Sequence, residues 1–152
     1  MLSTGLSAAF LTADIFAKKY VEDNCSFSER RPVLGGRVVI RKMHNKGFAL
    51  NRMDDRPDTV RNISLMLTVV IVICWLFEMI RGTSGLQRIG VALAAFGAAG
   101  NTIDRVRRGY VVDYLQLAKG PSRLRNIVFN LADIMIATGC VATVAGEIFF
   151  GK

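Results

Sequence analysis

No charged residue stands between Arg61 and Glu78, and the run NISLMLTVVIVICWLF between them is apolar around the whole circumference of a helix. An amphipathic element of a water-soluble domain keeps one polar face, and this segment has none. Extended to Ile80 it reaches the roughly 20 residues needed to cross a hydrocarbon core of about 30 Å. Backbone groups in lipid must pair within the segment, so it is expected to be helical. Three further stretches follow the same pattern: Leu2–Tyr20, Leu86–Val106 and Ile127–Phe150. The first is the weakest, because it carries Asp14 and ends at Lys18–Lys19. It does not read as a cleavable signal, since no basic region precedes it and Asp14 interrupts its core. A chain of 152 residues suits one domain, residues 1–152. The expected fold is an all-α membrane protein with four transmembrane helices. Disorder, a repetitive rod and a soluble α/β domain are excluded by the same pattern.

The connections are unequal. Between the first two spans lies a polar region, residues 21–61, containing PVLGGRVVIRKM. Gly35–Gly36 between two β-rich stretches predicts a tight hairpin, because both glycines tolerate positive φ. A small β-sheet on the membrane surface, between helices 1 and 2, is the expectation. Arg81–Gly85 is long enough only for a turn. In Arg107–Arg125 the stretch GYVVDYL reads as a short extended piece.

A net charge of +8 first suggests a nucleic-acid partner. No recognition-helix pattern, zinc spacing or aromatic platform accompanies the basic residues, and they read instead as neighbours of phospholipid headgroups. Cys25, Cys74 and Cys140 form no disulfide framework, and with His44 alone there is no ligand set for a metal. Neither metal nor cofactor is expected.

Carboxylates inside spans are the informative anomaly, since each costs roughly 2.5–3.5 kcal/mol near a helix centre. Asp14 and Lys18 are one turn apart and can pair. Asn101, Asp104 and Arg105 share a face by their i, i+3, i+4 spacing, as do Asn130 and Asp133. Asp113 follows the third span within a run of Val and Tyr. Any one of these can be mere helix glue or a headgroup contact. As a set they suggest proton chemistry, because Asp113 and Asp133 come from different segments without a basic neighbour in their own turns. Two carboxylates held close cannot both ionise cheaply, so one keeps its proton and can serve as acid beside a base. Val111, Val112 and Ile134 are the expected apolar wall. Gly90, Ala94 and Gly97 form a stripe on the third span that permits close helix packing.

These motifs resemble a known family. GAAGNTIDRVRRGYVVDY (Gly97–Tyr114) and FNLAD (Phe129–Asp133) are similar to the two signatures of lipoprotein signal peptidase, signal peptidase II. Asp14-Ile-Phe-Ala-Lys18 is similar to the family's D-x-x-x-K, and His44–Ala49 to its N-x-G-x-A element. The order of all four matches across nearly the whole chain. Departures mark a divergent member: Leu50 stands where the family usually has Phe, and Ile127–Val128 where Pro is frequent. Asp54–Arg61 and the basic Pro121–Arg125 are atypical.

The resemblance implies an aspartic endopeptidase of the bacterial cytoplasmic membrane. It would remove the signal peptide from prolipoproteins whose cysteine carries diacylglycerol, as a monomer among phospholipids. Asp113 and Asp133 would be the catalytic pair. Asn101, Asp104 and Arg105 would shape the substrate site, with Arg105 suited to a phosphate or to carbonyl oxygens, and Asn45 and Asn130 would hold the substrate backbone or the pair of acids. Asp14, Lys18 and Gly47 would give structural support. The family carries both termini inside and its site on the outer face. The charge distribution points the other way: eleven Lys/Arg fall in Lys18–Arg61 and six in Arg105–Arg125, against Arg81, Arg88 and Lys152. The reading here follows the family, because its motifs fix which helix ends carry the acids. Two alternatives stand beside it. One is a small lipid- or ion-handling protein using Asp14, Asp104, Asp113 and Asp133 as a pathway, for which the chain lacks inverted repeats. The other is a catalytically silent binding relative.

Overall fold

The structure is a computed structural model that describes residues 2–48, 53–81 and 83–151. Its elements run α1 (Leu2–Asn24), β1 (Arg31–Val33), β2 (Val38–Asn45), α2 (Pro57–Arg81), α3 (Gly85–Arg108), β3 (Val111–Leu117), α4 (Ser122–Arg125), β4 (Val128–Phe129) and α5 (Leu131–Phe150). The four long helices correspond to the four apolar stretches. Two of them, α2 and α5, are long and apolar enough to cross a membrane by composition. α1 and α3 are too polar for that test. α3 packs against α1, α2 and α5 at once, so its neighbours cover the Gly, Ala and polar residues that lower its apolarity. By contrast, α2 presents Met66, Val69, Val70, Ile73 and Phe77 outward over its whole length.

The glycine stripe sets how closely α3 meets α5. A Cβ on Gly90 would lie 2.5 Å from the Thr143 backbone nitrogen, and one on Gly139 would lie 2.6 Å from the Gly90 carbonyl oxygen. Gly97 meets the Ala132 carbonyl in the same way at 2.7 Å. Backbone therefore packs on backbone, as the spacing of Gly90, Ala94 and Gly97 suggested.

The sheet differs from the expectation. It is antiparallel with order β1-β2-β3-β4, so only half of it comes from residues 21–61; β3 and β4 come from the connection between α3 and α5. The β1–β2 hairpin turns through Leu34, Gly35 and Gly36, all at positive φ. β2 is paired with β3 from Val38↔Leu117 to Asn45↔Val111. The last apolar stretch also divides: Ile127 has no regular structure, Val128–Phe129 is strand, and the helix begins only at Leu131. Ala49 and Leu50, noted above as motif and departure, lie outside the described residues.

Candidate active site

Polar groups meet where α1 and α3 end, α5 begins and the sheet lies across them. The start of α5 shows why. The first N–H groups of a helix have no intrahelical partner, and in an apolar setting they must find one elsewhere. Here Leu131 N donates to Tyr114 Oη at 3.3 Å, Ala132 N to Asp14 Oδ1 at 3.3 Å, and Asp133 N to Asn130 Oδ1 at 2.9 Å. Asp133 in turn accepts from the Asn130 backbone N–H at 3.1 Å, which closes a capping box. The N-x-x-D spacing in FNLAD is thus a helix start, and its aspartate sits where the helix dipole favours negative charge.

The same asparagine reaches across to β3. Asn130 Nδ2 donates to Asp113 Oδ1 at 2.7 Å, so one amide binds one acid and caps the helix that carries the other. Asn45 Nδ2 donates to Asp113 Oδ2 at 3.0 Å, while Gly47 N donates to Asn45 Oδ1 at 3.1 Å. The second acid receives Asn101 Nδ2 on its Oδ1 at 2.7 Å. Each of the three amides has its oxygen occupied by a donor, so each is fixed with its NH2 toward a carboxylate. For Asn101 that donor is the Lys18 ammonium at 2.8 Å.

Lys18 is itself buried, between Asp14 at 2.8 Å and Asp104 at 3.3 Å. The expected Asp14–Lys18 pair is present, and Asp14 also accepts from Tyr114 Oη at 3.1 Å. Asp104 departs from its expected place in the substrate site. It accepts from Val112 N and pairs with Lys18 and Arg108, and it does not line the cavity. Asn130 is fully buried and holds the acids; it does not line the cavity. Tyr114 was missed by the sequence reading; only its place beside Asp113 hinted at it.

Asp113 and Asp133 open onto one cavity of about 460 Å³, together with Asn45, Asn101 and Arg105. Its apolar wall includes Val111, Phe129, Ile136 and Ala137. Two residues of the expected wall face elsewhere. Val112 alternates to the other side of β3, where it packs with Val21, Cys25 and Tyr114. Ile134 is one residue past Asp133, about 100° around the helix, and is exposed. Positions three and four past Asp133 line the cavity instead. A side space of about 240 Å³ continues between α2, α3 and α5, past Leu67 and Ile71.

Burial raises the Asp113 carboxyl to about 7, and the neighbouring Asp133 charge adds to the rise; the Asn45 and Asn130 donors oppose it. A carboxyl that is half protonated near neutrality beside a second carboxyl is the arrangement of an acid–base pair. Arg105 lies against it. Its Nη2 donates to the Gly47 carbonyl at 2.8 Å and its guanidinium lies 5.8 Å from the Phe48 ring, while Nε has no partner among the described residues. Gly47 thereby supports both Asn45 and Arg105. A larger hollow of about 770 Å³ at the far end of the bundle holds one carboxylate, Glu147, already bonded to Gln87. Among the described residues no three His, Cys, Asp or Glu side chains are grouped to share a metal ion.

The chain is similar to known proteins. The lipoprotein signal peptidase of Moorella thermoacetica is 31% identical over 136 residues, covering 90% of this chain and 85% of that protein. The lipoprotein signal peptidase of Fusobacterium nucleatum is 30% identical over 152 residues, covering 100% of this chain and 89% of its own. A bacterial membrane enzyme solved by the in meso method at 2.3 Å resolution has the same fold, with a TM-score of 0.83 at 20% identity over 97% of this chain and 87% of that one. The model of the family described as signal peptidase (SPase) II matches residues 6–149, which takes in most of α1, the sheet, Asp113, Asp133 and nearly all of α5. On that match and those identities, the chain belongs to the signal peptidase II family, a family of aspartic peptidases.

Proposed function

We propose that this chain is an intramembrane aspartic endopeptidase that removes the signal peptide from prolipoproteins whose cysteine carries diacylglycerol, with Asp113 and Asp133 as the reacting pair. The observation that carries the reading is Asn130, which donates to Asp113 and caps the helix bearing Asp133. One proton is shared by the pair at the start. The ionised carboxyl takes a proton from water as the water oxygen attacks the scissile carbonyl carbon. The protonated carboxyl gives its proton to the carbonyl oxygen, leaving a neutral tetrahedral diol and one proton on the pair. As the diol collapses, the C–N bond breaks. One hydroxyl proton returns to the pair and the leaving nitrogen takes the other proton from it. No step calls on a metal or a cofactor.

Each of the four long helices has the length to span, from about 30 Å for the 20 residues of α5 to about 37 Å for the 25 of α2. In this reading all four cross the bacterial cytoplasmic membrane as one domain, residues 1–152. The sheet, built partly from residues 21–61, and the paired acids lie at the outer face among phospholipid headgroups. The protein acts as a monomer. Asn45, Asn101 and Arg105 face the substrate, while Asn130 and Asp104 hold the frame. A lipid- or ion-handling pathway gains nothing from the geometry, since Asp14 and Asp104 are both engaged by Lys18.

The test is cleavage of a diacylglyceryl-modified prolipoprotein by the purified protein in detergent. Asp113→Asn and Asp133→Asn are each expected to abolish turnover while the protein stays folded. Near wild-type turnover by either variant rejects the pair.

A further inference from the structure

A second polar cluster lies outside the cavity, around Glu22 near the end of α1. Its carboxylate is met from three directions. His44 Nε2 lies 2.9 Å from Oε2, Tyr110 Oη donates to Oε1 at 3.1 Å, and Lys42 Nζ lies 3.4 Å from Oε2. Lys42 also donates to the Glu22 carbonyl at 2.7 Å. The His44 ring stacks on Tyr110 at 3.8 Å between centroids and meets Phe27 edge-on at 4.8 Å. Asp23 on α1, and Arg108 and Asp104 on α3, are the remaining charged groups near this cluster.

Its members sit at informative places in the sheet. Between the pairs Ile40↔Leu115 and Met43↔Asp113, β2 holds Arg41 and Lys42 against the single Tyr114, which is a β-bulge. Such an insertion bends a strand and re-aims the residues beyond it. Beyond this one come His44 and then Asn45, whose amide holds Asp113. On the facing side, Tyr110 precedes β3 directly, three residues before Asp113. Glu22 therefore ties the bulge, the residue before Asn45 and the entry to β3 onto the end of α1.

We propose that Glu22, His44 and Tyr110 are positioning residues for the peptidase reaction: they clamp the bulged strand pair so that the Asn45 amide stays on Asp113. The inference rests on the reading of Asp113 and Asp133 as the reacting pair. None of the three residues lines the cavity.

The experiment compares Glu22→Gln, Tyr110→Phe and His44→Phe in the full chain, with diacylglyceryl-modified prolipoprotein in detergent. Tyr110→Phe removes one oxygen and keeps the ring, so it reports even where another variant fails to fold. Small misplacements of reacting groups are costly, so each variant is expected to lower kcat about tenfold with KM within about twofold. The Glu22→Gln/His44→Phe double variant is expected to be no worse than the poorer single variant, because both break one clamp. His44→Gln, which keeps a donor toward Glu22, is expected to recover most of kcat. The alkaline limb of the activity profile is expected to move upward in the damaged variants, because the Asn45 donor opposes the rise of the Asp113 carboxyl. Wild-type kcat in folded Tyr110→Phe and Glu22→Gln, or losses that multiply in the double variant, overturn the proposal. Asp113→Asn runs alongside: an active Asp113→Asn rejects the reacting pair, whereas an inactive one with unimpaired clamp variants rejects the clamp alone.

Discussion

Replacing Asp113 by asparagine is expected to change stability in a pH-dependent direction as well as remove activity. In the folded protein the carboxyl titrates near 7, against 3.8 when it is exposed. Between those values the folded state holds a proton that the unfolded state has lost. Stability therefore falls as pH rises through that window and levels off above it. At 1.36 kcal/mol per pH unit, the burden of Asp113 is about 1–2 kcal/mol at pH 5 and about 4 kcal/mol at pH 8. Asparagine carries no such burden, but it does not fit the site perfectly. Asn45 and Asn130 both point NH2 groups at this position, and Gly47 N and Asp133 N hold them that way. One side-chain nitrogen must then face a donor, which costs about 1–3 kcal/mol. That mismatch is the same at every pH and cancels when two pH values are compared. The stability of Asp113→Asn relative to wild type should rise by about 2–3 kcal/mol from pH 5 to pH 8, or about 5–10 °C in Tm for a chain of this size. Melting of the two proteins in the same detergent at both pH values measures it. A difference that is flat with pH, or that falls, refutes the assignment of a proton to the buried Asp113.

Gly90→Val should be destabilised by about 1–3 kcal/mol or more, because its Cβ would fall 2.5 Å from Thr143 backbone; Gly5→Val, whose Cβ meets nothing within 4 Å, is the control in the same melt. Asn130→Ala should lose about 1 kcal/mol for the cap and nearly all turnover; Asn130→Asp keeps a capping oxygen but sets a buried third carboxyl against Asp113, so it should lose both stability and turnover, and equal activity of Asn130→Asp and wild type would deny Asn130 its donor role. Arg105→Lys should lower activity nearly as far as Arg105→Ala at equal folded amount, since a single ammonium cannot both bond the Gly47 carbonyl and serve the cavity; full activity in both makes Arg105 a helix-end residue. A chelator should leave turnover unchanged, and inactivation reversed by added zinc would contradict the metal-free mechanism.

Much of this arrangement is written locally. The uncharged run after Arg61 gives α2, Gly35–Gly36 gives the hairpin, and Gly90, Ala94 and Gly97 give the α3–α5 contact. Asp113 and Asp133 stand out because carboxylates in apolar stretches need a reason. What the sequence hides is mostly long-range. The pairing of Val38–Asn45 with Val111–Leu117 joins segments more than sixty residues apart, so the sheet reads from sequence as belonging to one connection only. Periodicity also misleads by one residue at a helix start: Ile134 was expected in the wall, but the face is set by where α5 begins, and Ile136 and Ala137 take its place. Asp104 shares a helical face with Asn101 and Arg105, yet a helical face is wide enough to touch both Lys18 and the cavity, and Asp104 takes the Lys18 side.

The polar residues buried in α1 and α3 follow from a single demand. A helix that starts in an apolar setting leaves its first N–H groups unpaired, and each left so costs several kcal/mol. α5 starts there, and three side chains answer it: Tyr114, Asp14 and Asn130. Asp14 as an anion then requires a cation, which Lys18 supplies from the next turn. Lys18 has donors to spare; it takes Asp104 from α3 and turns the Asn101 amide so that its NH2 meets Asp133. Asp104 binds the Val112 amide, which fixes β3 one residue before Asp113. Each member is thus held by the one before it, from the helix start to both carboxylates. The capping of α5 and the placement of the paired acids are one network. A substitution anywhere in it should disturb stability and turnover together.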